Sequence, residues 1–114
     1  MELRQALRSY TKKDNRLAYL SLIPNIVVYF AAVTVAIMAV QQGAWLIAAF
    51  AAIVLAFAGV RLYVLQHDLG HLSLFKTKKQ NEVWGYIVSP FTMAAYPQMR
   101  HNHNLHHAYV GDLD

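Results

Sequence analysis

Two long apolar runs dominate the pattern of hydrophobic and polar positions along the chain. The first covers residues 17–40 and the second residues 44–65, and no Asp, Glu, Lys or Arg occurs from Leu17 through Val60. At 1.5 Å per residue these runs form helices of roughly 33–36 Å, which is enough to cross a hydrocarbon core of about 30 Å. The pattern therefore predicts two transmembrane helices.

The break between the two runs is the uncharged tripeptide Gln41-Gln42-Gly43. A connection this short predicts a tight turn between antiparallel helices, whose other ends return to the same side. The Ala and Gly content of the second run suits close helix–helix approach. Pro24 falls near the start of the first run, where a missing N–H costs least or a modest kink is absorbed. We therefore expect one transmembrane helical hairpin.

Shorter segments precede and follow the hairpin. Residues 1–16 form a polar arm that fits either an amphipathic helix or a frayed leader. Three apolar residues of the arm have helical spacing: Leu3, Leu7 and Tyr10. Residues 66–82 lead from the second helix into a polar loop, and residues 83–97 are too short to cross a bilayer, which favours an interfacial or re-entrant element. The expected fold class is an all-α membrane protein with one hairpin and additional cytoplasmic or interfacial helices.

The composition supports a membrane protein and excludes several other classes. Hydrophobic residues make up 57% of the 114 residues and charged residues only 14%, whereas soluble domains carry about 25% charged residues. A soluble domain of this size has too much surface to hide so many apolar residues, and a disordered tail has too few of them. The absence of cysteine excludes a disulfide-stabilised miniprotein, thiol catalysis and iron–sulfur ligation.

The positive charge is concentrated beside the open end of the predicted hairpin. The net charge is +4, and eight of the ten basic residues fall in two groups: Arg4, Arg8, Lys12, Lys13 and Arg16, then Lys76, Lys78 and Lys79. Under the positive-inside rule, this places the N-terminus and the polar segments in the cytoplasm. Basic and aromatic residues are not interleaved as nucleic-acid binding requires, so no nucleic-acid partner is expected. The apolar region begins too late and runs too long for a cleavable signal peptide.

All six histidines follow residue 66 and form two clusters. The first is the pair His67 and His71, and the second contains His101, His103, His106 and His107. Residues spaced i, i+4 or i, i+3 share one face of a helix, with Cβ atoms about 5–6 Å apart. Imidazole is the commonest metal-binding side chain and suits iron, zinc and copper. The spacing therefore predicts metal ligation by five histidines: His67, His71, His103, His106 and His107.

Other readings of the same residues stay open at this point. A histidine pair near a membrane interface is often only polar surface, and the second cluster fits a basic patch that touches lipid headgroups. His101 shares the helical face less clearly, and we treat it as a neighbour of the ligands. Asp68 and Asn104 are candidates for hydrogen bonds to a ligand's second nitrogen or for simple solvation. No H-E-x-x-H pair or glycine-rich nucleotide motif occurs, so neither a zinc protease nor a nucleotide site is expected.

The two clusters, read in order, resemble a known family. The segments H-D-L-G-H-L-S-L-F at residues 67–75 and R-H-N-H-N-L-H-H-A-Y-V-G-D-L-D at residues 100–114 are similar to the first two histidine boxes of membrane fatty acid desaturases. The closest likeness is to the bacterial acyl-lipid delta-12 and omega-3 enzymes. In these terms, residues 66–82 carry the first box and residues 98–114 the second. Met99 stands where the family commonly has Trp.

The resemblance implies a function as well as a fold. It implies half of a four-helix membrane bundle and a di-iron centre held by His67, His71, His103, His106 and His107 at the cytoplasmic face. There, O2-dependent chemistry would insert a double bond into the acyl chain of a membrane lipid or related substrate. Electrons would come from a ferredoxin or cytochrome-type donor.

The resemblance covers only part of the family's pattern. Family members are much longer and add a second hairpin and a third H-x-x-H-H box, neither of which occurs in these 114 residues. We therefore expect an N-terminal portion of a desaturase that is incomplete or inactive alone. Two alternatives are a related histidine-box hydroxylase and a small non-enzymatic membrane protein that binds metal or haem.

Overall fold

A computed structural model describes residues 12–110, and all of the regular secondary structure in that range is helical. The four helices are α1 (Asn15–Gln41), α2 (Trp45–Gly70), α3 (Lys78–Thr92) and α4 (Tyr96–Tyr109). The predicted all-α architecture is confirmed. The predicted spacing of Leu3, Leu7 and Tyr10 in the arm lies outside the described residues, as does the end of the second histidine segment at residues 111–114.

Helices α1 and α2 are both long and apolar enough to cross a membrane, as the sequence predicts. They contain 27 and 26 residues, and only 11% and 17% of the residues in their most apolar windows are buried inside the protein. The exposed faces carry large apolar side chains such as Leu20, Phe50 and Phe57. A buried core helix would have hidden these side chains, so this surface is suited to lipid rather than water.

The two helices form a hairpin whose closed end is a three-residue turn. Gly43 has a φ of +70°, a left-handed conformation that glycine adopts at little cost, and the Ala44 N–H donates to the Ala39 carbonyl at 2.8 Å. Small buried residues line the contact nearer the turn, and leucines line it nearer the open end. The alanines are Ala32, Ala39, Ala51 and Ala58, and the leucines are Leu22, Leu62, Leu65 and Leu69. The small side chains let the two backbones approach closely.

Helix α2 continues past the apolar run and carries the first histidine cluster out of it. The predicted run ends at residue 65, whereas the helix ends at Gly70 with His71 as its C-cap. The loop that follows is fixed by Asn81, which is fully buried and exchanges hydrogen bonds with the backbone of Phe75. A capping box between Thr77 and Gln80 then begins α3, as such boxes do by pairing the first free N–H groups of a helix.

Helices α3 and α4 lie across the open end of the hairpin. The structure divides residues 83–97 between the end of α3 and the start of α4. Helix α3 ends at Thr92, and its C-cap Met93 has a left-handed conformation with a φ of 53°. Helix α3 packs against α2 through Val88 and against the beginning of α1 through Trp84 and Tyr19. Helix α4 then runs back toward α2, and this return places the two histidine clusters side by side.

A candidate metal centre

The first two histidines of the centre lie at the C-terminal end of α2. His67 is within the helix and His71 caps it, so their rings lie one turn apart on the same face. Their Nε2 atoms are 3.3 Å apart, and the ring centroids are 4.6 Å apart. The i, i+4 spacing thus brings these two nitrogens together without help from another element.

Helix α4 brings two further histidines to the same point. Pro97 lies in the first turn of this helix, where proline's missing N–H costs nothing. His103 and His107 lie on the face of the helix toward α2. The Nε2 atom of His103 is 2.7 Å from that of His71 and 2.9 Å from that of His107. Four Nε2 atoms from two helices therefore form a continuous series, in which each atom lies within 3.3 Å of the next.

The convergence is better suited to a shared cation than to hydrogen bonds alone. An imidazole nitrogen carries either one proton or one lone pair, yet the Nε2 atoms of His71 and His103 each face two other nitrogens. A metal about 2.0–2.1 Å from each nitrogen separates neighbouring ligand atoms by about 2.8–3.4 Å in octahedral or tetrahedral geometry. The three observed separations run from 2.7 to 3.3 Å. The donor set of His67, His71 and His103 thus fits one metal ion of the kind that imidazole prefers.

The ligand atoms of three of these residues meet a geometric criterion for a metal site together. Potential ligand nitrogens of His67, His71 and His103 all lie within 4.8 Å of one another. Because the three come from both helices, a metal bound there would join α2 to α4. His107 extends this group through its contact with His103.

The other candidate residues occupy different positions around this group. The ring of His106 lies further out, with centroid distances of 6.4 Å to His103 and 6.0 Å to His107. Asp68 Oδ1 is 3.4 Å from His67 Nδ1, a long contact with the nitrogen that would remain free if Nε2 bound a metal. His101 and Asn104 line a separate cleft beside Glu82 and Arg100.

The protonation of the cluster favours metal binding. Partial burial, followed by the neighbouring His67 and His107, lowers the pKa of His71, although Asp68 acts in the opposite direction. Desolvation and the surrounding histidines also lower the pKa of His103. A lowered pKa keeps the imidazole neutral, which is the form that binds a metal ion.

A buried polar network fixes the helices that carry these histidines. Gln66 is fully buried directly before His67. Its Nε2 donates to Ser89 Oγ at 3.1 Å and to the Ala94 carbonyl at 2.8 Å, while its Oε1 accepts from Thr92 Oγ1 at 2.6 Å. This side chain therefore ties the end of α2 to the α3–α4 junction. The sequence interpretation missed it, although a glutamine at the end of an apolar run was an available signal.

Tyr96 makes a second connection between the same elements. Its backbone N–H donates to Ser89 Oγ at 2.9 Å, and its hydroxyl donates to the Leu69 carbonyl at 3.0 Å. Burial raises the pKa of Tyr96, which keeps the hydroxyl protonated as a donor. The ring lies directly over Gly85, where any side chain would overlap it. Tyr96 thereby sets the position from which α4 starts.

A cleft of about 530 Å³ opens beside the histidines. His67 and His103 form one wall, and Tyr63, Met93 and Met99 line other parts of it. Met99 also contacts the α2 backbone at Gly70, because a Cβ placed there would lie 3.4 Å from the Met99 Cε. The methionine therefore fills the contact between α2 and α4 at the position where the sequence analysis noted a departure from Trp.

Comparison with known proteins identifies a family and a relative of the chain. The family model of fatty acid desaturases matches residues 43–114. A fatty acid desaturase of Bacillus subtilis (strain 168) is 25% identical over 113 residues, which are 99% of this chain and 32% of the relative. The chain thus spans about a third of that relative's length. No solved structure matches the chain.

Proposed function

The chain belongs to the fatty acid desaturase family, and on that basis we propose that its histidine cluster holds iron for the O2-dependent desaturation of an acyl chain. The observation that carries the proposal is the convergence of His67 and His71 from α2 with His103 from α4, whose potential ligand nitrogens all lie within 4.8 Å of one another. Iron is among the metals that imidazole ligands suit. Bound iron would supply the oxygen chemistry needed to remove hydrogen from an unactivated carbon, which side chains cannot supply.

The ligands in this proposal have distinct roles. His67, His71 and His103 hold one ion together, since potential ligand nitrogens of all three lie within 4.8 Å of one another. His107 is the next ligand outward, with its Nε2 atom 2.9 Å from that of His103. His106 lies at the edge of the cluster, and we assign it to a second iron. Five imidazoles are too few to complete two iron sites, so the full reaction requires ligands beyond those that these histidines provide.

The surroundings of the cluster are arranged for an apolar substrate. The histidines lie at the end of two helices with apolar outer surfaces, so an acyl chain can approach from the bilayer. The cleft beside His67 and His103 is partly lined by Met93 and Met99, whose side chains make part of its wall apolar. An electron donor such as a ferredoxin or cytochrome would approach from the polar side. The N-terminus and both clusters are then cytoplasmic, and the chain crosses the membrane more than once.

The proposal is tested by metal binding to the 114-residue chain in detergent. Fe(II) is titrated without oxygen, and bound metal is counted by elemental analysis. We expect one tightly bound ion per chain, and we expect His71→Ala to weaken binding at least about tenfold because one converging nitrogen is lost. His101→Ala is the matched control, since His101 lines a different cleft, and its binding should equal that of the parent.

Two results would count against the proposal. Equal weakening by His71→Ala and His101→Ala would mean that the converging nitrogens do not form the site. Two bound irons together with new double bonds in the lipids of cells that express the chain would contradict the conclusion that further ligands are required.

A further inference from the structure

A basic cluster lies beside the metal centre but takes no part in it. It consists of six exposed residues from two segments of the chain: Lys12, Lys13, Arg16, Lys76, Lys78 and Lys79. Within residues 12–110, only Lys78 of these six has a carboxylate within 4 Å, and that carboxylate, Glu82, also pairs with Arg100 at 3.0 Å. The positive charge of the cluster is therefore largely uncompensated by the described part of the protein.

Hydrogen bonds assemble the cluster from segments that are far apart in sequence. Lys13 Nζ donates to the Leu72 carbonyl at 2.6 Å. The Asn15 side chain accepts from the Lys76 N–H at 2.9 Å and donates to Gln80 Oε1 at 3.3 Å. The start of α1 is thus tied to the loop before α3, although roughly sixty residues separate them. The concentration of charge is a product of the tertiary structure.

Aromatic side chains mark the depth of this region relative to a membrane. Tyr19, Phe75 and Trp84 contact one another directly next to the basic cluster, with ring centroids 5.0 Å apart for Tyr19 and Phe75 and 5.9 Å apart for Tyr19 and Trp84. Tyrosine and tryptophan concentrate at the boundary between the hydrocarbon core and the headgroups. Exposed apolar residues begin immediately beyond them, at Leu17 and Leu20.

We propose that the basic cluster binds the phosphate headgroups of anionic phospholipids. The cations lie where the apolar surface of α1 begins, so a bound lipid keeps its headgroup on the lysines and its acyl chains against exposed leucines. Clusters of four to eight basic residues beside a membrane helix attract anionic lipids in this way. The site is separate from desaturation, and it anchors the metal-bearing end of the hairpin at one membrane surface.

The two tryptophans provide a direct test. Trp84 lies beside the basic cluster. Trp45 begins α2 at the closed end of the hairpin, and α2 is about 39 Å long. Trp45→Phe leaves Trp84 as the single tryptophan, and Trp84→Phe leaves Trp45. Each variant of the 114-residue chain is reconstituted with brominated phosphatidylglycerol or brominated phosphatidylcholine, and tryptophan quenching reports which lipid is in contact.

We expect the anionic lipid to quench Trp84 with at least about fivefold preference, since one cation near an anionic surface contributes about that factor. The preference should disappear when all six cations of the cluster are replaced by glutamine, and in 1 M salt, where the Debye length is about 3 Å. Arg61→Gln is the matched control, because it removes an exposed cation from α2 outside the cluster, and it should keep the preference.

Several outcomes would overturn the proposal. Equal quenching of Trp84 by the two lipids would show that the cluster does not select anionic headgroups, and would leave it as a surface for an acidic protein. A preference that survives replacement of all six cations, or that appears equally at Trp45, would place the lipid elsewhere. None of these readings depends on bound iron or on desaturation, so this proposal and the proposed function can fail independently.

Discussion

At the scale of single residues, the side chains that organise the centre are not those that carry its chemistry. Gln66 and Tyr96 contribute nothing to the group of converging nitrogens, yet their hydrogen bonds join α2 to the α3–α4 junction on both sides of His67. Residues that orient ligands commonly affect metal affinity tenfold to a hundredfold. Replacement of Gln66 should therefore lower the metal affinity as well as the free energy of unfolding.

We expect Gln66→Leu to lower the metal affinity by about tenfold or more. The substitution removes three hydrogen bonds and leaves the Ala94 carbonyl and the Ser89 and Thr92 hydroxyls without this partner. The Ser89 and Thr92 hydroxyls keep their bonds to the Gly85 and Ser89 carbonyls, but the end of α2 loses its side-chain link to the α3–α4 junction. This junction should therefore shift and carry His103 with it. Calorimetric titration with Co(II), together with its visible absorption spectrum, measures both affinity and geometry.

Asn81→Leu is the control for a loss of stability alone. Asn81 is also fully buried, but its hydrogen bonds go to Phe75 and Thr77 in the loop before α3. This variant should unfold more readily than the parent while keeping its affinity for Co(II). If both variants lost affinity to the same degree, Gln66 would be a general stabilising residue with no particular effect on the centre.

At the scale of elements, the contact between α3 and α4 depends on one position without a side chain. Gly85 lies in α3 beneath the Tyr96 ring, and this close approach lets the Tyr96 hydroxyl reach Leu69 in α2. Three helices therefore meet around one ring. A glycine in the middle of a helix lowers stability by about 0.5–1 kcal/mol relative to alanine. Here the missing side chain is what allows the Tyr96 ring to pack against α3.

Gly85→Ala should lower the free energy of unfolding by about 1–3 kcal/mol, because the added methyl overlaps the Tyr96 ring and tight interiors do not absorb extra volume. Gly59→Ala is the matched control, since Gly59 is also helical and a Cβ there meets nothing within 4 Å. That variant should be as stable as the parent or up to about 1 kcal/mol more stable. Denaturation in detergent followed by circular dichroism compares them, and equal stability of the two variants would contradict the packing described.

At the scale of the whole molecule, the chain is polarised along the axis of the hairpin. One end is an uncharged turn closed by Gly43. The other end carries the histidines, the basic cluster and the two shorter helices. The long helices between them expose apolar side chains along much of their length. This distribution is the one expected if a bilayer separates the turn from the end that carries the histidines and the basic cluster.

The chain's lack of cysteine allows that topology to be tested with single introduced thiols. In intact bacterial cells, Gln42→Cys should react with a membrane-impermeant maleimide, because the turn faces outward in the proposed orientation. Lys79→Cys should react only after the membrane is opened, because the proposed orientation places the basic end in the cytoplasm. Labelling of both thiols in intact cells, or of Lys79→Cys alone, would contradict the proposed orientation.

The sequence by itself determined the helical hairpin and the identity of the residues with metal-binding chemistry. No charged residue occurs from Leu17 to Val60, and one short turn divides this stretch into two apolar runs. Each run must form a helix in hydrocarbon, because its backbone groups have to bond within their own segment. The one-turn spacing of His67 and His71 likewise follows from local geometry. Both features depend on residues close together in the chain, and such features can be read from a pattern.

Only the tertiary structure decided which histidines meet and what holds them together. The contact of His103 with His71 joins residues 32 positions apart, and it depends on where α4 starts, which Gln66, Gly85 and Tyr96 set through packing. The sequence treated His106 as equal to His103 and His107, whereas the structure places His106 at the edge of the group. Helical periodicity specifies the face on which a side chain lies, but the direction in which that face points is fixed by contacts between helices.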